Sequence, residues 1–355
     1  MTPDPDPSSS QVRAVGTAPG SLTAPLDATP TRITVIRYNA DEVERHDNTP
    51  ATELRRLTQG AKGVVWIDVT GCGTMAVFET LVRDFGIPRL ALEDVLNAPQ
   101  RPKVEPFGDA RFILVRQIQT RSTVEMDQIC IWLAGNVVFT FQHQPGDCFN
   151  NIRDRLTEPT SQSRRRGADY LAYRIVDACV DSYFPEAERL MDALEDLERT
   201  ALETPDRRLL MKLHEFKREL RILEKTILPL RDAVGSLTRD EVAFAPETRP
   251  YIRDVHDHTT QLVEQTHLLD QLAGDVGDLA LGSLDVRLNM AMKVLAAVTF
   301  VFMPISFITS FYGMNFKHMP ELEWEWGYAG VIGLILLVSA AIIGWLWHRG
   351  WTELD

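Results

Sequence analysis

Two stretches near the end of the chain stand apart from everything before them: no Asp, Glu, Lys or Arg occurs between Val294 and Phe316, or between Gly327 and Trp347. Each run reaches the roughly 20 apolar residues that a helix needs to cross a bilayer. The pattern predicts two transmembrane helices, 294–316 and 327–347, joined by an outer loop over 317–326. That loop carries Glu321, Glu323 and Glu325 against Lys317, whereas Arg287 and Lys293 precede the first span and His348 and Arg349 follow the second. Basic residues favour the cytoplasmic side, so the bulk of the chain and the C-terminal 348–355 are expected in the cytoplasm, as in a multi-pass protein of the plasma (inner) membrane. Trp324, Trp326, Tyr328, Trp345, Trp347 and Trp351 fall where interfacial aromatic belts form.

Upstream, the periodicity is shorter. RITVIRY (32–38), GVVWIDVT (63–70), ARFILVRQIQT (110–120) and the pair QICIWLA and VVFTFQH around Gly135-Asn136 read as strands, alternating with helical patterns such as MAVFETLVRDFG. An α/β cytoplasmic domain over 32–165 follows, preceded by a Pro-, Ser- and Thr-rich segment, 1–31, expected as a disordered N-terminal tail. In 166–250 an acidic run, Glu186 to Glu203, is broken by Pro205 and followed by a basic one, Arg207 to Arg231; a solvated, charged helical hairpin is expected there.

From Tyr251 to Tyr312 the one further proline is Pro304, so a single helix is predicted, a stalk over 251–293 that continues into the first span. At about 1.5 Å per residue it would extend roughly 90 Å, against about 30 Å of hydrocarbon. Val255, Leu262, Leu269 and Val276 repeat at heptad spacing, with Leu272, Leu279 and Val286 three positions on, which predicts a seam packed against copies of the same helix. Gly274, Gly277 and Gly282 lower helix propensity locally, for bending or for close packing.

Along the first span, Asn289, Met292, Leu295, Thr299, Met303, Ser306 and Ser310 recur at steps of three and four and share one stripe. Hydroxyls spaced between large apolar side chains suit a water-filled path with constrictions; a close helix–helix interface gives the same pattern. Two spans cannot enclose a pore, so conduction would demand a closed ring of subunits. Gly313-Met314-Asn315 stands where this stripe leaves the membrane, and the Asn315 amide is costly there unless it is paired or faces water.

Net charge is −13, and nearly all of the acidic excess lies before residue 290. That argues against nucleic acid as a partner and is compatible with divalent cations. Cys72, Cys130, Cys148 and Cys179 form no pair of zinc spacing and read as free thiols in a reducing cytosol. The N-terminus has neither the basic start nor the apolar core of a secretory signal. No Walker loop, HExxH or nucleophile motif occurs, and Gly71-Cys72-Gly73 lacks the third glycine of a dinucleotide fingerprint, so no enzymatic activity is expected.

Asn289 with Met292-Lys293, then Phe302-Met303-Pro304, Tyr312-Gly313-Met314-Asn315-Phe316, Met319-Pro320-Glu321-Leu322 and Trp326-Gly327-Tyr328 together resemble the CorA family of divalent-cation channels, landmark by landmark and in order. LEDVLNAPQRPKVE (92–105), FTFQ (139–142), DACVDSYF (177–184) and RDVHDHT (253–259) carry the resemblance into the cytoplasmic part. It implies a funnel-shaped homopentamer in the lipid bilayer that conducts Mg2+, with Co2+ and Ni2+ also accepted. Gly313, Met314 and Asn315 match the selectivity filter, and Asn315 its outer ring. A neutral amide can hydrogen-bond a hydrated Mg2+, which gives up water reluctantly, without holding it too tightly to release. The family closes when internal Mg2+ occupies carboxylate sites between neighbouring cytoplasmic domains. Asp94, with Glu93 beside it, and Asp254 match those positions; Asp177 or Asp181 would serve a second site, and His258 lies one turn after Asp254. Within the stripe, a hydrophobic constriction at Met292, Leu295 and Met303 is the expected gate, relieved when loss of bound Mg2+ lets the stalk helices bend.

One departure stands out: family members commonly end in a cluster of lysines, whereas this chain ends HRGWTELD. Two other functions fit the same pattern, namely a zinc transporter of this architecture, driven by protons or not, and a membrane-anchored sensor or scaffold.

Overall fold

The β-branched and aromatic runs assemble into one sheet. In the computed structural model, which describes residues 18–25, 28–120, 124–314, 319 and 324–349, its strands are β1 (Arg32–Tyr38), β2 (Val43–His46), β3 (Val64–Thr70), β4 (Lys103–Phe107), β5 (Ala110–Thr120), β6 (Val124–Ala134) and β7 (Val137–Gln142). The sheet has seven strands in the order β2-β1-β3-β7-β6-β5-β4. Only β3 and β7 pair in parallel, Val65 opposite Val137 and Thr70 opposite Gln142; the other neighbours are antiparallel.

Both faces of the central strands are buried, and their side chains sort by parity. Val65, Ile67 and Val69 of β3 join Phe139 and Phe141 of β7 on one face, covered by α1 (Ala51–Thr58), α2 (Met75–Phe85) and α3 (Arg89–Leu96) through Leu54, Phe78, Leu81, Leu92 and Val95. Phe85 meets Phe139 edge-on at 5.0 Å between ring centroids. Gly86, in the left-handed conformation at φ 64°, ends α2 and donates its N–H to the Val82 carbonyl at 3.1 Å. The opposite face is covered by α4 (Asn150–Thr157) and α6 (Ala168–Asp181), with the short α5 (Gln162–Arg165) between them. Here Trp66 donates to the Thr140 hydroxyl at 2.9 Å, and that hydroxyl donates to Asp68 at 2.8 Å. Arg153 of α4 bridges the buried Asp68, at 2.7 Å, and Asp147. Burial pushes the Asp68 carboxyl up, whereas Arg153 and Gln142 hold Asp147 below the ordinary range against its own burial.

The N-terminal segment corrects one expectation. Residues 18–25 and 28–31 pack on the α/β domain instead of forming a free tail, with Leu22 and Ala28 against its core. The Gly73 amide donates to the Thr29 carbonyl at 2.8 Å, and the Thr29 hydroxyl to the His143 carbonyl at 3.0 Å. Gly71-Cys72-Gly73 is what allows this approach: a Cβ on Gly71 would lie 2.5 Å from the Pro30 carbonyl oxygen, and one on Gly73 2.8 Å from that of Thr29. The remainder of 1–31 lies outside the described residues.

Four longer helices follow or complete the chain: α7 (Phe184–Glu203), α8 (Arg207–Leu237), α9 (Arg249–Tyr312) and α10 (Gly327–His348). The hairpin expected to be solvated carries a buried apolar stripe on each helix, Leu190, Leu194, Leu197 and Ala201 on α7 and Leu209, Leu213, Phe216, Leu220 and Leu223 on α8. Charged residues flank the stripes, and Arg189, half exposed, bridges the buried Glu186 and the exposed Glu219 at 2.6 and 2.7 Å.

α9 is continuous through Pro304. Ile252, Val255, Thr259, Leu262, Thr266, Leu269, Ala273, Val276 and Ala280, at alternating steps of three and four, are all buried within the single chain. The heptad seam is therefore covered by the chain itself and not reserved for copies of the helix: its second series is Ile252, Thr259, Thr266, Ala273 and Ala280, while Leu272 and Leu279 are half-buried and Val286 exposed. Small and hydroxyl-bearing residues let neighbouring helices come close, which is why a search for large apolar side chains chose the wrong flank. Of the three stalk glycines, a Cβ on Gly277 would press on Leu213 at 3.3 Å, while Gly274 and Gly282 have open space.

By contacts the chain divides into two compact units, Met1–Asp196 with His214–Ala273, and Leu197–Leu213 with Gly274–Asp355. The first holds the sheet; the second holds the apolar halves.

Candidate functional site

α6 and the first turns of α9 bring ligating groups together. Asp177 and Asp181 stand one turn apart on α6, Asp254 and His258 one turn apart on α9, and Tyr251 anchors α9 against Tyr170 and Tyr173 of α6 at centroid distances of 5.5 and 5.3 Å. Ligand atoms of Asp177, Asp181 and His258 lie within 4.8 Å of one another. His258 Nδ1 is buried without a hydrogen-bond partner, 4.0 Å from Asp181 Oδ1, and Phe184 holds the imidazole edge-on at 5.8 Å. Two carboxylates and an imidazole whose inner nitrogen is unpaired can hold a divalent cation, the oxygens suiting Mg2+ and the nitrogen Co2+, Ni2+ or Zn2+.

Electrostatics here is unfavourable without a cation. Burial, followed by the charge of Asp181, pushes the Asp177 carboxyl up to about 6; Arg174, which donates to it at 3.2 Å, and His258 oppose the shift, while Asp254 adds to it. Asp254 is exposed and stands outside the three-residue group.

Glu93 and Asp94 are also outside it. Glu93 of α3 is buried and accepts the Gly20 amide at 2.6 Å. Asp94 takes the Lys103 ammonium at 2.8 Å, and Lys103 also reaches Glu105 at 2.8 Å. Burial opposes the Lys103 charge, but these two ion pairs outweigh it and leave its pKa raised. Reading carboxylates one at a time missed Lys103, Arg174 and Gly20. Two of them had a signal: Lys103 and Glu105 share one face of β4 at spacing two, and Arg174 lies three residues before Asp177 on α6.

The second candidate surface is the stripe on α9. Asn289, Met292, Leu295, Thr299, Met303, Ser306 and Ser310 lie along it; Met292 is 60% exposed, Leu295 68% and Met303 65%, and Asn289, Thr299, Ser306 and Ser310 are exposed too. Met292, Leu295, Ala296, Thr299, Phe300 and Met303 line a groove of about 310 Å³. The Thr299 hydroxyl donates to the Leu295 carbonyl at 2.8 Å, which satisfies its proton inside the helix and leaves its oxygen as an acceptor. α9 ends at Tyr312, and Gly313 donates to the Thr309 carbonyl at 3.0 Å. Gly313 is not among the glycines of positive φ; its lack of a side chain matters because a Cβ would sit 3.1 Å from the Thr309 carbonyl oxygen. Met314 is exposed, and Asn315 lies outside the described residues.

The apolar parts of α9 and α10 are long enough to cross a membrane and almost wholly unburied, Tyr328, Trp345 and Trp347 included, and Trp324 and Trp326 just before α10 are exposed too. Helices of a soluble core would be covered. A three-layer α/β domain, a long helix that continues into an uncovered apolar segment and a second such helix define an integral membrane protein with a large soluble domain.

The chain belongs to the CorA-like Mg2+ transporter family, whose sequence pattern matches residues 61–349. It is 35% identical over 323 residues to the cobalt/magnesium transport protein CorA of Thermotoga maritima, covering 90% of this chain and 92% of that one. Among solved structures it resembles the CorA magnesium transporter of Methanocaldococcus jannaschii, with a TM-score of 0.75 at 21% identity over 90% of this chain and 98% of that one. The ZntB cytoplasmic domain of Vibrio parahaemolyticus shares the soluble fold, with a TM-score of 0.59 at 15% identity over 72% of this chain and 99% of that domain. The family is one of transporters, and the fold is that of CorA.

Proposed function

We propose that the chain forms a homopentameric channel in the plasma membrane, with both termini cytoplasmic, that admits Mg2+, and also Co2+ and Ni2+, down the electrochemical gradient. The observation that carries this reading is the uncovered stripe from Asn289 to Ser310, which leads to Gly313 and Met314. Five copies facing one axis would cover it and give alternating apolar rings and hydroxyl rings. Rings of Met292, Leu295 and Met303 would block ions by dewetting when narrow. Asn315 would form the outer amide ring that meets the hydrated ion. A divalent cation gains about 4.6 kcal/mol across 100 mV, twice the single-charge value, so no nucleotide hydrolysis is required.

Closure would follow when internal Mg2+ occupies acidic sites on the soluble domain. Asp177, Asp181 and His258 would make one site, and Asp94 and Asp254, with Glu93 beside Asp94, would share ligation with a neighbouring subunit; Glu93 is buried on the Gly20 amide and would have to leave it to take part. For Asp94 the competitor is its own Lys103, which a cation would have to displace. In reconstituted liposomes, Asn315→Ala should abolish selective Mg2+ uptake while pentamers persist. Combined Asp94→Ala and Asp254→Ala should relieve inhibition by internal Mg2+. Selective uptake undiminished in the first variant would defeat the filter assignment, and unaltered inhibition in the second would defeat the gating assignment.

A second reading, zinc transport, draws on the imidazole of His258 among the ligands, since nitrogen favours Zn2+ over Mg2+. Flux of Mg2+, Co2+ and Zn2+ compared with and without a pH gradient separates the two readings. Purified protein that carries no ion would instead mark an anchored sensor or scaffold.

A further inference from the structure

A cleft of about 720 Å³ opens where β1 ends and β3 and β7 begin, between that end of the sheet, the α5–α6 junction and the segment 241–245. Arg164, Arg165 and Arg166 stand side by side in its lining. Arg164 is 5% exposed, and the hydrogen bond it makes among the described residues runs from Nε to the Asn39 carbonyl at 3.3 Å. None of the three forms a salt bridge among the described residues; Arg166 lies over the Tyr170 ring at 5.7 Å. The two acids of the lining are committed elsewhere. Asp169 Oδ2 accepts the Ala245 amide at 3.1 Å and the Thr248 hydroxyl at 2.6 Å, and Glu241 pairs with Arg249 at 3.0 Å.

Three adjacent cations, one of them buried, repel one another, and neither acid of the lining is salt-bridged to them, so the arrangement is costly in a half-enclosed site unless an anion enters. Guanidinium groups match phosphate in shape as well as charge. The volume lies within the range of small-molecule sites and exceeds what a lone phosphate would fill. Val64, Val242 and Phe244 add an apolar wall to the same cleft, and Asn136 stands beside it with its amide nitrogen donating to the Gly63 carbonyl at 2.8 Å, which leaves its oxygen as an acceptor.

We propose that this cleft binds a nucleoside triphosphate, its phosphate chain on Arg164, Arg165 and Arg166 and its base against Val64, Val242 and Phe244. The site is separate from the group at Asp177, Asp181 and His258, which stands at the other end of α6. It is read without ion flux, so it stands or falls independently of the channel reading.

Isothermal titration of the full-length protein in detergent, at physiological ionic strength and with EDTA so that no metal transfer contributes heat, tests it with ATP, tripolyphosphate and adenosine as probes. ATP should bind once per chain, tripolyphosphate more weakly and adenosine not measurably. Arg165→Ala with Arg166→Ala, at exposed and half-buried positions, should weaken ATP at least about tenfold, with an unchanged melting temperature in the absence of ligand. The control pair Arg207→Ala and Arg208→Ala, exposed on α8, should change nothing. No ATP binding at millimolar concentration, binding untouched by the first pair, or equal loss with the control pair would overturn the site. Tripolyphosphate binding as tightly as ATP would overturn the place given to the base.

Discussion

Replacing Asp177 by asparagine should stabilise the protein at neutral pH and do nothing in acid. Burial first, then the charges of Asp181 and Asp254, overcome Arg174 and His258 to move the carboxyl from the ordinary 3.8 to about 6. That shift corresponds to about 3 kcal/mol. Its sign follows from proton counting: between the two values the folded chain holds more protons than the unfolded one, so stability falls as pH rises through that window. Near pH 4 most of the penalty is gone, the folded carboxyl being protonated and the unfolded one roughly half so; above about pH 6 it is nearly complete. An asparagine side chain, neutral throughout, escapes it and can still accept from Arg174. In EDTA, melting temperatures of wild type and Asp177→Asn should differ little near pH 4 and separate by several degrees at pH 7, the variant being higher. Adding Mg2+ at pH 7 should raise wild type more than the variant, because a cation removes the repulsion that asparagine never had. Proton competition adds a third observable: apparent Mg2+ affinity at this group should fall about tenfold from pH 7 to pH 5, where a carboxyl of ordinary pKa would hardly change. A difference between the proteins that does not vary with pH, or a variant less stable at pH 7, would refute the reasoning.

Two further substitutions probe the frame that holds the site. Leu262→Ala, in the fully buried seam of α9, should cost about 2–5 kcal/mol, whereas Leu268→Ala, half exposed on the same helix, should cost under about 0.5, read from melting at concentrations low enough to separate subunits; equal effects would mean that the seam is not the chain's own. Arg153→Met strands the buried carboxylates of Asp68 and Asp147 and should cost about 3–5 kcal/mol, part of it recovered when Asp68→Asn is added; a neutral Arg153→Met would show that the triad carries no such charge.

How far the sequence could be read depended on whether burial left a periodic trace. β1 and β5 have the limits their alternation predicts, because each is paired on both sides and selected for apolar or branched residues. The two apolar helices were legible from length and charge alone. The seam of α9 was half legible: its leucines and valines were visible, but Thr259, Thr266, Ala273 and Ala280 do not announce burial. At the ligand group, the sequence left Asp177 and Asp181 as alternatives, while the structure places both with His258, since one turn of α6 puts both on one face. The anchoring of residues 28–31 was hidden because its cause is two glycines that make room, and absent side chains leave no pattern.

β2 and β4 went unread for a reason with consequences of its own. VERH is polar, with two exposed centre positions, and KVEPF contains Pro106, which cannot donate to a neighbouring strand. These are the two outermost strands of the sheet. Such residues make poor templates for backbone pairing. The traits that conceal these strands from pattern reading thus also close the sheet at both ends. Soluble domains crowded together on one patch of membrane would meet through side chains, reversibly, and would not grow into one another as continuous β-structure.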